Sequence, residues 1–169
     1  LGQSLEIYDF YQKQIDCLEE RMNGYLNLYE RPVEILDSIP GMDLITASVI
    51  IAEIGVDMSQ FPTAGHLASW AGLCPGNNES AGKKRSTKIR HGNSYLKRCL
   101  CQAVFAAKRQ KGSPLAERYY QIQNRRGPQK ATIALAHQLL KLAYILLKEN
   151  LTYQEFVLQK KATRDEPVA

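Results

Sequence analysis

The sequence predicts an all-α protein, a long N-terminal coiled-coil helix followed by a compact helical domain. Three observations predict it. Apolar residues recur at three- and four-residue steps in several segments. A seven-residue repeat runs through residues 1–30. No segment shows the apolar–polar alternation of a half-buried strand. The chain has 169 residues, 44% of them apolar, which suffices for one domain of ordinary size, an appendage and a sizeable core.

The repeat sets Leu1, Tyr8, Ile15, Met22 and Tyr29 seven apart, with Tyr11, Leu18 and Tyr25 three after the middle members. These are the two seam positions of a coiled coil. Ser4 takes one of them, and a single amphipathic helix packed on its own domain fits the pattern too. Arg31-Pro32 is expected to end this helix, because the residue before proline is pushed out of the α region. The division expected is a helical arm over 1–31, a helical domain over 32–158 and a loose polar tail over 159–169.

In the stretch from Ile35 to Gly55, a short helix meets Pro40-Gly41 and a second helix starts near Asp43. Leu44, Ala47, Ile51 and Ile54 would share one side of it. Helix, tight turn and helix suit a helix-hairpin-helix, which offers backbone N–H groups to a phosphate, with Gly41 allowing close approach. They suit a plain helical turn equally. Thr63 is a helix cap candidate for residues 63–70. Residues 73–82, rich in Gly, Pro and Asn, predict a loop. From about Asn93 the helical period returns with Leu96, Leu100, Ala103, Val104 and Ala107. Pro114 opens a helix to about Asn124. The segment 129–148, apolar around most of its circumference, is expected to be the central core helix. No uninterrupted apolar run reaches about 18 residues, so no membrane partner is expected.

The formal charge is +5, and its distribution matters more than its size. Between Glu79 and Glu117 lie Lys83, Lys84, Arg85, Lys88, Arg90, Lys97, Arg98, Lys108, Arg109 and Lys111, with no acidic residue among them. A single-sign block of this kind suits a polyanion, although a solvated basic face has the same pattern. Cys17, Cys74, Cys99 and Cys101 include no CxxC pair, so free thiols in a reducing cytoplasm are expected. His66, His91 and His137 have no metal-ligand spacing with another His, Cys or carboxylate, and no metal site is expected in this chain. Neither a Ser-His-Asp set nor a glycine-rich phosphate loop is present.

What remains is Ser80, in a loop followed by Gly82 and five cations, Lys83, Lys84, Arg85, Lys88 and Arg90. Cations beside a phosphodiester offset its charge as the transition state forms. A loop serine beside basic residues also suits a turn or a simple phosphate hydrogen bond.

The stretch WAGLCPGNNESAGKKRSTKIRHGNSYLKRCLCQAVFAA, Trp70 to Ala107, resembles the signature segment of a family of bacterial insertion-sequence transposases. That family also includes pilin-gene invertases and bridge-RNA-guided recombinases. The Gly-Leu-x-Pro, Ser-Ala-Gly, Gly-Asn and Leu-Lys-Arg elements carry the resemblance, which extends over the coiled coil and C-terminal part. Many members have Ser-Gly where this chain has Ser80-Ala81-Gly82, and His91 stands where Lys or Arg is usual. The resemblance implies that Ser80 is a nucleophile toward a DNA phosphate. It implies DNA contacts for Gly41, Lys83, Lys84, Arg85, Lys88, Arg90, His91, Asn93, Lys97 and Arg98. It further implies magnesium on the carboxylates of an acidic domain not in this sequence, DNA and a guide RNA as partners, and a homo-oligomer paired through the N-terminal helix. The rival expectation is a non-catalytic module that binds DNA or structured RNA by shape and charge, or an assembly domain built on the coiled coil.

Overall fold

The structure is a computed structural model that describes residues 2–74, 78–80, 83–86, 89 and 91–165. Polar side chains set the starts of most helices. The helices are α1 (Gly2–Leu26), α2 (Glu30–Asp37), α3 (Leu44–Ile54), α4 (Ala64–Trp70), α5 (Ser94–Ala107), α6 (Pro114–Arg126), α7 (Pro128–Glu149) and α8 (Tyr153–Asp165). Asp43 accepts from the Thr46 amide at 2.8 Å, Thr63 from His66 at 3.3 Å, Asn93 from Leu96 at 2.8 Å and Ser113 from Leu115 at 3.3 Å. Each satisfies one of the N–H groups that a helix leaves unpaired in its first turn. Gly127 ends α6 at φ 84°, and Asn150 ends α7 in the left-handed region.

The fold is all-α, as the periodicity predicts, with one two-stranded ribbon among the described residues. The residues divide into two units, Leu1–Arg31 and Pro32–Ala169. In the first, α1 contains no buried residue, and Tyr8, Tyr11, Ile15, Leu18, Met22 and Tyr25 are all exposed. In the second, α7 is the central helix and packs against α4, α5 and α6, while α3 packs on α5. Leu135, Ala136, Leu139, Leu140 and Ala143 of α7 are fully buried, and Leu96, Leu100 and Val104 of α5 meet them in one continuous core. By length and composition α7 could cross a bilayer, but here its apolar side chains form that core.

Four local expectations are corrected. Arg31-Pro32 does not end a helix. The break comes at a short 3-10 turn, Asn27–Tyr29, and α2 starts at Glu30 with Pro32 in its first turn, where a missing N–H costs nothing. Leu44 is 48% exposed, so the buried side of α3 is Thr46, Ala47, Ile50, Ile51 and Ile54. The expected loop over 73–82 contains a strand, β1 (Asn78–Ser80), paired antiparallel with β2 (Lys83–Ser86). The expected loose tail is helical as far as Asp165, because α8 runs through it.

Candidate nucleic-acid interface

The basic stretch is built on a small hairpin rooted between α4 and α5. In the ladder Ser80 stands opposite Lys83 and Glu79 opposite Lys84. The next pair is Asn78 with Ser86, so Arg85 is the extra residue of a bulge, a device that bends a strand and raises its twist. Ala81 and Gly82, between the paired Ser80 and Lys83, lie outside the described residues, as do Lys88 and Arg90.

The two ends of this excursion are held together by a backbone contact that requires glycine. Gly92 lies so close to Ala71 and Gly72 that a Cβ there would overlap their backbone. Gly72 itself has φ 70°. The polypeptide that leaves α4 therefore returns beside its own starting point before α5 begins. Asn93 completes the junction, since besides capping α5 it donates a hydrogen bond to the carboxylate of Glu53 on α3. Its place in the structure is thus that of a cap and a bridge. Glu53 carries no sequence signal of its own, and only the spatial neighbourhood picks it out.

The other sequence-predicted residues divide into those near this junction and one remote from it. His91, just before Gly92, is exposed, and on the first turns of α5 Lys97 is half-buried and Arg98 exposed. Gly41 is elsewhere. Its φ is 89°, and a Cβ on it would come within 2.6 Å of the Ala103 carbonyl oxygen on α5. Ala103 is nine residues past the start of α5, about 14 Å along its axis at 1.5 Å per residue. The hairpin foot and the Pro40-Gly41 turn are therefore separate places. The N-terminus of α3 after that turn is already served by Asp43, whose carboxylate also accepts from the Thr46 hydroxyl at 2.7 Å. These bonds hold the Asp43 carboxyl below the usual carboxylate range, the side-chain bond contributing most. A carboxylate at that helix end disfavours a second anion there.

The sulfur and imidazole chemistry is quiet. Burial raises the thiol pKa of Cys99, with the Thr46 hydrogen bond lowering it and the Asp43 charge raising it, and burial raises that of Cys101 against a lowering by Lys97. Burial, aided by Lys141, pushes His137 down, favouring neutral imidazole. Among the described residues no group of three or more His, Cys, Asp or Glu could hold a metal ion.

The chain matches the family model described as Transposase IS116/IS110/IS902 family over residues 33–121. It is 33% identical over 146 residues to the insertion element IS110 uncharacterized 43.6 kDa protein of Streptomyces coelicolor, covering 84% of this chain and 35% of that protein. It is 28% identical over 140 residues to the insertion element IS900 uncharacterized 42 kDa protein of Mycobacterium paratuberculosis, covering 80% of this chain and 33% of that protein. It is 28% identical over 123 residues to the transposase for insertion sequence element IS1111A of Coxiella burnetii, covering 70% of this chain and 34% of that protein. The chain thus spans about a third of the length of the curated relatives it matches.

Proposed function

The chain belongs to the IS116/IS110/IS902 transposase family, and from that premise we propose that it is the DNA-binding, serine-bearing part of an insertion-sequence transposase. The observation that carries the reading is the hairpin register, which sets Ser80 opposite Lys83 beside the cations of β2. In the proposed step the Ser80 oxygen bonds to the phosphorus of a DNA phosphodiester as the bond to one deoxyribose oxygen breaks. The departing oxygen ends with the proton that the serine loses. Attack by a new deoxyribose hydroxyl reverses the exchange on a different strand and frees Ser80. A covalent intermediate conserves the phosphodiester, so joining needs no external energy source.

Lys83, Lys84, Arg85, Lys88 and Arg90 would offset phosphate charge around the serine, with His91, Lys97 and Arg98 extending the contact along the strand. Asn93 would act by fixing the start of α5. Gly41 is the weakest of the proposed DNA contacts, because Asp43 already serves the adjoining helix end. Magnesium belongs, on this reading, to carboxylates in other parts of the whole protein. A guide RNA would share the same basic surface. The exposed seam of α1 would pair protomers, since strand exchange needs several strands held at once.

The test uses the whole protein with magnesium, the DNA ends of its element and any RNA encoded with it. Wild type is compared with Ser80→Ala for protein covalently attached to DNA on a denaturing gel, with binding of both proteins measured separately. An adduct that vanishes in Ser80→Ala while binding holds supports the nucleophile. An adduct or recombination that persists in that variant moves the chemistry elsewhere and leaves a binding and assembly module.

A further inference from the structure

The outward face of α5 is composed unlike a solvating surface. Tyr95, Arg98, Gln102 and Phe105 follow at steps of three and four residues, and Arg109 comes just after the helix ends at Ala107; all five are exposed. At about 100° per residue the four helical ones fall within an arc of about 80°, opposite the buried Leu96, Leu100, Ala103 and Ala107. The Tyr95 ring is 67% exposed and Phe105 47%. A single exposed aromatic means little. Here two rings share a face with the Arg98 guanidinium on a helix that carries no acidic residue, and Arg109 follows two residues past its end. Among the described residues neither Arg98 nor Arg109 makes an ion pair. Phe105 is also held in place, because Lys108 Nζ lies 4.5 Å from its ring centre and 4.9 Å from that of the buried Tyr119.

We infer that this face of α5 is a stacking platform for unpaired bases of a nucleic-acid strand. The inference rests on the proposed nucleic-acid reading and specifies the form of the ligand. Charge complementarity selects a polyanion, and the rings select one whose bases are free to stack. In a duplex the π faces are already stacked on neighbouring pairs, so exposed rings gain most from opened strands. Tyr95 and Phe105 are ten residues apart, about 15 Å along the axis. That is room for about four bases at the ~3.4 Å rise of a stacked strand. Tyr95 lies three residues after Gly92, so the platform begins at the hairpin foot and leads away from it.

The test measures binding of the chain to a labelled single-stranded DNA of mixed sequence, an abasic strand of equal length, the matched duplex and an RNA of the same sequence. The base-containing strand is expected to bind more tightly than the abasic one. Tyr95→Ala and Phe105→Ala should each weaken binding to it by roughly 5- to 100-fold, with no change in salt dependence and little change toward the abasic strand. Tyr95→Phe should restore binding. Arg98→Ala should reduce the steepness of log K against log salt by about 0.7 on the single strand. A preference between DNA and RNA identifies the strand, and either supports the platform. Equal binding of abasic and normal strands, or tighter duplex binding that ignores both rings, overturns the platform while leaving the phosphate contacts standing. No binding to any of the four overturns both. Both rings are substantially exposed, and a thermal melt of each variant verifies that the fold is kept.

Discussion

The Asn93 side-chain amide donates a hydrogen bond to the Glu53 carboxylate, joining residues forty positions apart. Its oxygen meanwhile caps α5 through the Leu96 amide. One side chain thus anchors the returning end of the basic segment both to the helix it opens and to α3. Asn93→Ala removes both bonds and should cost about 1 to 2 kcal/mol. Asn93→Asp keeps a capping oxygen but sets a second carboxylate against Glu53. Two ionised carboxylates repel and neither can donate to the other, so the contact with Glu53 turns unfavourable once both groups are charged. The Asn93→Asp protein should therefore fall further below wild type at pH 7 than at pH 4 in thermal melts. An equal deficit at both values would show that Glu53 does not feel the new charge.

Gly41→Ala should be among the most damaging single-methyl substitutions in the helical domain. It meets both a positive φ and the α5 backbone at Ala103 and Ala107. Strain and overpacking together are expected to cost about 2 to 4 kcal/mol. Urea titration measures this directly. Gly92→Ala should behave alike, since its methyl would strike Ala71 and Gly72. Gly112→Ala makes a useful control, because its φ of 73° is strained but no atom crowds the site. A Gly41→Ala protein no less stable than Gly112→Ala would refute the tight packing of the turn on α5.

His137 makes stability depend on pH near neutrality. Its folded pKa lies below 6.5, through burial first and Lys141 second. The unfolded chain therefore binds the proton more readily, and stability rises with pH. The contribution is full above about pH 6.5 and is lost as pH falls toward the folded value. His137→Gln should remove that slope, which urea midpoints between pH 5 and pH 8 would reveal. An unchanged slope in the variant would assign the effect to other groups.

The cysteines should differ in reactivity. Cys17 is exposed, Cys101 half-buried and Cys99 buried, and the last two thiols have raised pKa values. Thiolate is the reactive form, so brief alkylation at neutral pH should label Cys17 first and Cys99 last. Peptide mass spectrometry gives the order. Early labelling of Cys99 would mean that α5 separates readily from α3.

DNA binding should weaken steeply with salt. If about five phosphates are neutralised on duplex DNA, log K falls with log salt at a slope of about −4 to −5. Replacing Lys83 and Lys84 together with alanine should flatten that slope by nearly 2. A flat response in the parent protein would remove nucleic acid as the partner.

Much of this molecule was legible before the structure. The cap at Thr63, the helix start near Asn93, the start at Pro114 and the apolar circumference of α7 are local signals, and helices are made of local bonds. The hairpin was not legible. Its strands are three and four residues long and almost wholly polar or charged, so no alternation announces them. Leu44 misled because an apolar residue at the first position of a helix need not face the core. The polar residues after Gln159 misled because a polar helix, once begun at Tyr153, continues without needing a buried face along its whole length.

Sequence alone determined the helical class, the central place of α7 and the acid-free basic stretch that follows Ser80, because spacing and charge order are properties of the chain itself. Only tertiary structure decided that Ser80 pairs with Lys83 in the backbone ladder, that Asn93 reaches Glu53 and that Gly41 serves the packing of α5. Each of these depends on backbones or side chains meeting across a turn or across the core. Such meetings are set by three-dimensional fit, which neither residue announces in its own neighbourhood.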